Sequence, residues 1–225
     1  MNVYILVEGK RTEKKVYPAW LSILTPHLKK VDIAGDVSDD NYYLISGEGY
    51  PSLLSHLKNA IEEVNEISKF QYLVLCLDAE EETVQGRIDE INTYLKREKC
   101  ILQHAELVIV VQNPCFETWF LGNRKLFKRQ PQSPELCRYI RFYNVSEEDP
   151  EEMPALVDHM TRAQFHVAYL REMFEERNIS YSKRNPGEIC ETRFLTELIK
   201  RNEETSHISS FREFLNLCDM INDKK

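Results

Sequence analysis

The chain has 225 residues, about one and a half typical domains, which excludes a large multidomain machine. Hydrophobic residues make up 42% and charged residues 29%, with 7 Gly and 9 Pro, a globular composition that excludes wholesale disorder. Lys+Arg total 29 against Asp+Glu 37, a net charge of -8, so bulk charge is not what would hold a nucleic acid, although a local basic face is compatible with it.

In chain order, Val3–Val7 is an apolar, β-branched run that predicts a strand, and Glu13–Lys29 carries helical periodicity. Tyr42–Ile45 predicts a second strand, and Gly47-Glu48-Gly49 a turn into a helix over Ser52–Ile67. Tyr72–Leu77 is a third strand, Thr83–Lys96 a helix and Leu107–Val111 a fourth strand. Alternating strands and helices imply βαβ units and a parallel sheet. No comparable strand follows Val111. In Met153–Phe174 the apolar positions Leu156, Met160, Ala163, Val167, Leu170 and Phe174 step by 4, 3, 4, 3 and 4, one face of a helix. Ile189–Ile199 and Phe211–Ile221 follow the same pattern. The expected organisation is an α/β core over residues 1–125 and a helical part over 126–225, with the acidic run Glu147–Glu152 as the connecting loop or the start of a helix.

The six cysteines lie far apart, without C-x-x-C or zinc-finger spacing, which argues against structural zinc. Met1 leads directly into an apolar strand without a basic stretch, and no apolar run approaches the roughly 18 residues of a membrane span. The expectation is a cytoplasmic, reducing setting with free cysteines.

In open parallel sheets, ligands sit outside the carboxyl ends of the strands. The residues there are acidic: Glu8 after the first strand, Asp78 and Glu80 after the third, and Glu117 after the fourth. A single acid at a strand end is commonly a helix cap or a solvated loop residue. Carboxylates converging from several strand ends repel one another unless a cation neutralises them, and oxygen ligands suit hard ions such as Mg²⁺ or Mn²⁺. From Arg124 to Arg141, six basic residues (Arg124, Lys125, Lys128, Arg129, Arg138 and Arg141) face one acid, Glu135, with Phe127, Tyr139, Phe142 and Tyr143 interleaved. That suits phosphate contacts and base stacking, or equally a solvated helix face with its aromatics turned inward. Lys10, Arg11, Lys14 and Lys15 form a second basic cluster beside Glu8. Phe116 and Trp119 are read as core packing, and Cys115 as a buried thiol. His159 and His166, seven residues apart, do not form an i, i+4 ligand pair.

Three strings, V-E-G-K-R-T-E (Val7–Glu13), L-D-A-E (Leu77–Glu80) and N-P-C-F-E-T-W-F-L (Asn113–Leu121), resemble the RloB-like branch of the Toprim superfamily, related to the OLD-type nucleases. The resemblance covers residues 1–125 and implies a four-stranded parallel sheet flanked by helices. It also implies one or two Mg²⁺ or Mn²⁺ ions held by Glu8, Glu13, Asp78, Glu80 and Glu117. A lysine expected near the end of the domain is matched by Lys183, which is equally readable as a surface residue of a polar stretch. The catalytic set it implies is Glu8, Asp78, Glu80 and Lys183. One departure is Glu80, where the family carries Asp; the extra methylene moves the oxygens by about one bond length. The activity implied is metal-dependent phosphodiester hydrolysis of DNA or RNA, tRNA included, in bacterial anti-phage defence beside a separate ABC- or OLD-type ATPase. The chain has no G-x-x-x-x-G-K-[ST] of its own. The alternative is a non-catalytic Toprim-like binding or scaffold subunit, and a homo-oligomer is open in either case.

Overall fold

The computed structural model describes residues 1–224. Five strands form one sheet: β1 (Asn2–Val7), β2 (Lys29–Val31), β3 (Asn41–Ser46), β4 (Tyr72–Asp78) and β5 (Glu106–Gln112), in the order β2-β3-β1-β4-β5. Strand β1 pairs in parallel with β3 on one side and β4 on the other, with Val7 opposite Ser46 and Cys76, and β2 pairs in parallel with β3. Strand β5 also runs parallel, since Glu106 N donates to Gln71 O at one end and Ala79 N to Gln112 O at the other. Every residue of β1 and all of β4 but Asp78 are buried, which is why these strands read as continuous apolar runs and not as alternation.

The helices are α1 (Glu13–Leu24), α2 (Ser52–Ile67), α3 (Val84–Glu98), α4 (Phe116–Leu121), α5 (Pro134–Phe142), α6 (Arg162–Glu176), α7 (Thr192–Thr205) and α8 (Ser209–Asp223). The α/β parallel architecture agrees with the alternation in the sequence, and the strand count exceeds the expected four by one. The extra strand is β2. Helix α1 stops at Leu24, five residues before the expected Lys29, because Pro26 disfavours helical backbone at Thr25. The chain then re-enters the sheet edge at Lys29, opposite Asn41. A three-residue edge strand that opens with two exposed lysines carries no apolar signal and suits an edge that must not template further pairing.

The helix expected over Met153–Phe174 begins only at Arg162. Thr161 accepts from Gln164 N while the Gln164 side chain accepts from Thr161 N, a reciprocal cap that defines the first turn. Upstream, Pro150–Glu152 is a short 3-10 turn, and Pro154 holds Met153 extended. The stretch expected at Ile189–Ile199 is likewise divided between a 3-10 turn, Gly187–Cys190, and α7.

By internal contacts the chain divides into two compact units, and not at residue 125. The first comprises Met1–Leu77, Thr83–Val111 and the residues from Phe214 onward; the second comprises Asp78–Glu82 and Gln112–Glu213. In the first, Phe214 of α8 stacks edge-on against Tyr17 of α1 (5.2 Å between ring centres) and lies 6.3 Å from Trp20. In the second, Phe116, Trp119, Phe120 and Phe211 form an aromatic cluster, as expected for Phe116 and Trp119. Trp119 Nε1 donates to Ser210 Oγ at 2.7 Å. Glu151, from the acidic run, is buried and accepts from Ser210 N at 3.0 Å and from Ser209 Oγ at 2.8 Å, closing the amino end of α8.

Candidate active site

In the first unit, Glu8 follows β1. Its backbone N donates to Cys76 O at 2.9 Å, its O accepts from Gly49 N at 3.0 Å, and its Oε1 accepts from Tyr50 N at 3.3 Å. The turns after β1 and β3 are thereby joined. Glu13 opens α1, where a carboxylate favours the helix dipole, and is buried. A methyl group at Gly9 would meet the Glu13 carboxylate, which would have to move aside. The Cys76 thiol is pushed up to about 12, first by burial, with the Glu13 charge adding to it. Lys10, Arg11, Lys14 and Lys15 are exposed on the same turn and helix, and Lys10 pairs with Glu48 at 3.5 Å.

In the second unit, Asp78 ends β4, and its Oδ1 accepts from Phe116 N at 2.8 Å, the first residue of α4. Ala79 N and Glu80 N then donate to Gln112 O and Pro114 O, both at 2.8 Å, so the turn after β4 is clamped to the segment after β5. Glu80 has φ 58°, the left-handed region that costs a non-glycine residue, and its side chain is exposed. Glu117, one residue into α4, is buried. Its Oε1 accepts from Lys183 Nζ at 3.4 Å and from Tyr181 OH at 3.4 Å. Lys183 stands on a tight turn closed by paired backbone bonds between Ser182 and Asn185, and Tyr181 stacks 5.1 Å from Phe174.

The Glu117 charge raises the Lys183 ammonium above its ordinary value against the opposing effect of burial, and Asp78 and Cys115 add to it. Burial pushes the Cys115 thiol well up, and the Glu117 and Asp78 charges push it further, which excludes a ready thiolate nucleophile. Asp78, Cys115, Glu117 and Lys183 therefore share one electrostatic neighbourhood. Of the expected site residues, this unit joins Asp78, Glu117 and Lys183, with Glu80 on the same turn as Asp78, while Glu8 and Glu13 belong to the first unit. Tyr181 was not among the expected site residues; its adjacency to Lys183 was the available signal.

The donor set is oxygen only, and a buried carboxylate that draws in an ammonium has the chemistry a hard divalent cation requires. Among the described residues, no three His, Cys, Asp or Glu side chains are grouped closely enough to hold an ion, and the counter-charge at Glu117 is Lys183.

The basic stretch is largely engaged internally. Arg124 pairs with Glu204, Lys125 with Glu197 at 3.1 Å, Lys128 with Glu176 at 2.6 Å, and Arg138 with Glu135 at 3.1 Å. Phe127 and Tyr139 are buried in the core, whereas Phe142 is exposed. Arg129 and Arg141 are exposed and, among the described residues, have no ion-pair partner. Four of the six residues expected to face phosphates thus already hold carboxylates.

His166 of α6 braces the candidate site from behind. Its Nε2 lies 3.0 Å from Met153 O, which can only accept, so Nε2 carries the proton and Nδ1 accepts from Thr118 Oγ1 at 2.9 Å. Burial lowers His166 from 6.5 to about 4. A depressed folded value means that the stability it contributes is complete above about pH 6.5 and is lost as pH falls toward 4. The expected loss is on the order of 3 kcal/mol. Urea unfolding at pH 7, 5.5 and 4.5 checks this: His166→Gln should flatten the decline, and an unchanged slope would exclude His166 as its source. Glu151 acts in the opposite sense, since burial raises its carboxyl.

Compared with protein-family models, curated proteins and solved structures, the chain gives no match. No helix among the described residues is long and apolar enough to cross a membrane.

Proposed function

We propose that this protein is a metal-dependent nuclease of the RloB-like Toprim type, hydrolysing phosphodiester bonds in DNA or RNA. The observation that carries the reading is the meeting of Asp78, Glu117 and Lys183, three residues more than a hundred positions apart at the extremes, beyond the carboxyl ends of β4 and β5. Asp78, Glu80 and Glu117 would hold Mg²⁺ or Mn²⁺, and the resemblance adds Glu8 and Glu13. A bound ion supplies an acidified water and charge stabilisation at the phosphate. The chain's own groups do the rest. The backbone N–H of Phe116 fixes one oxygen of Asp78 and so orients the carboxylate. Glu117 and Tyr181 hold the Lys183 turn in place, and the Lys183 ammonium, kept charged by Glu117, neutralises charge developing on a phosphoryl oxygen.

The resemblance extends the proposal to an effector of anti-phage defence working in the cytoplasm with a separate ATPase, for which the chain lacks a P-loop. The second reading, a non-catalytic nucleic-acid-binding or scaffold subunit, is favoured by Lys183 serving as the cation at Glu117. Incubation with plasmid and with tRNA in Mg²⁺ or Mn²⁺, with and without the neighbour-encoded ATPase, separates the two. The enzyme reading expects metal-dependent cleavage that Asp78→Ala and Glu8→Ala abolish. Intact substrates under every one of these conditions would leave only the binding subunit.

A further inference from the structure

The second unit contains a cleft of about 460 Å³ that shares no residue with the Glu117–Lys183 pair. Its volume falls within the roughly 300–1,000 Å³ of small-molecule sites. Arg124 and Arg129 line it together with the apolar Phe127 and Ile140 and the polar Asn144 and Ser146. Guanidinium groups over an apolar wall form the combination that takes up a phosphate and a base together.

The charge around the cleft is lopsided. Arg129 is exposed and has no carboxylate partner among the described residues, and Arg124 has Glu204. Behind the same walls lies Arg201, fully buried, which donates to Val145 O at 2.6 Å, Glu148 O at 2.7 Å and Gly122 O at 3.3 Å. Those partners are carbonyls, so the guanidinium charge is solvated but not neutralised by them. Burial first, and then the nearby Arg124 charge, lower Arg201 to about 10, with Asp149 acting in the opposite sense. Arg124 is paired with Glu204 and Arg201 feels the Asp149 charge, which leaves Arg129 as the guanidinium available to an anion in the open part of the cleft. One feature of the lining opposes it: Glu147 stands at the rim.

We propose that this cleft binds a phosphorylated nucleotide, either free or as a unit of a nucleic-acid strand, with Arg124 and Arg129 on the phosphate and the base against Phe127 and Ile140. The strand form rests on the nuclease reading; the free form does not.

The test is isothermal titration of the full chain in chelator, so that cleavage plays no part and failure of the nuclease reading does not decide the result. The probes are a nucleoside, its 5′-monophosphate, and a single-stranded oligonucleotide with and without a 5′-phosphate. The expected result is that the monophosphate binds and the nucleoside does not. Arg129→Ala, at an exposed position that keeps the fold, should weaken phosphorylated probes about tenfold. Glu147→Gln should tighten them by removing the opposing charge. Competition of the monophosphate against only the 5′-phosphorylated oligonucleotide assigns a strand end, and competition against both assigns internal phosphates. Equal binding of nucleoside and monophosphate, or affinities that neither variant moves, would overturn the proposal, as would no binding of any phosphorylated probe.

Discussion

On the proposed nuclease reading, Lys183→Ala is expected to lower phosphodiester cleavage by ~10²–10³-fold, the usual cost of removing one fixed charge aimed at a transition state. The side chain is 60% exposed but its ammonium is the counter-charge of the buried Glu117, so a modest drop in melting temperature should accompany the loss of rate. The effect should fall on kcat more than on KM, because the ammonium acts on charge that develops only as the bond breaks. Lys183→Arg keeps the charge but not the point geometry and should recover only part of the rate. Glu117→Gln is the informative companion. It frees Lys183 from the carboxylate that raises its pKa, so the ammonium, followed by NMR titration in chelator, should lose its proton at lower pH than in the wild type. If Lys183→Ala cuts at the wild-type rate, the Lys183–Glu117 pair is structural and the ammonium takes no part in the chemistry.

The largest loss of stability is expected from Arg201→Ala. The side chain is 1% exposed, and its removal leaves the carbonyls of Gly122, Val145 and Glu148 and the Nδ1 of His207 without their donor. Each buried acceptor left unmet costs about 1–3 kcal/mol, so a loss on the order of 4 kcal/mol follows once local relaxation is allowed. Arg201→Met fills most of the volume and should lose nearly as much, which separates lost hydrogen bonds from lost packing. Urea denaturation measures both. A cost below about 1 kcal/mol for Arg201→Met would mean that water reaches those carbonyls.

The sheet was legible because its central strands are buried on both faces and therefore spelled out as apolar runs. Strand β2 was not, because an edge of three residues with two lysines is defined by its neighbour and not by its own composition. Periodicity alone places the start of α6 too early, although Pro154 and the Thr161/Gln164 box both mark where a helix can begin. Leu156 and Met160 fit the heptad-like spacing without being helical. At the candidate site, Asp78 and Glu117 were legible from their positions after strands, and Lys183 from the family resemblance alone. The meeting of Lys183 with Glu117 is a long-range event that no local pattern encodes. The basic stretch shows the converse limit. Counting arginines and lysines between 124 and 141 could not reveal that Glu204, Glu197, Glu176 and Glu135 already occupy four of them.

The lodging of Phe214 against Tyr17 and Trp20 has a consequence for how the molecule is made. Helix α1 keeps an apolar face uncovered until Phe214, far later in the chain, has also been synthesised. The unit that holds the sheet is thus completed only after the residues of the second unit have been synthesised, and its uncovered face must be kept from aggregating in the meantime.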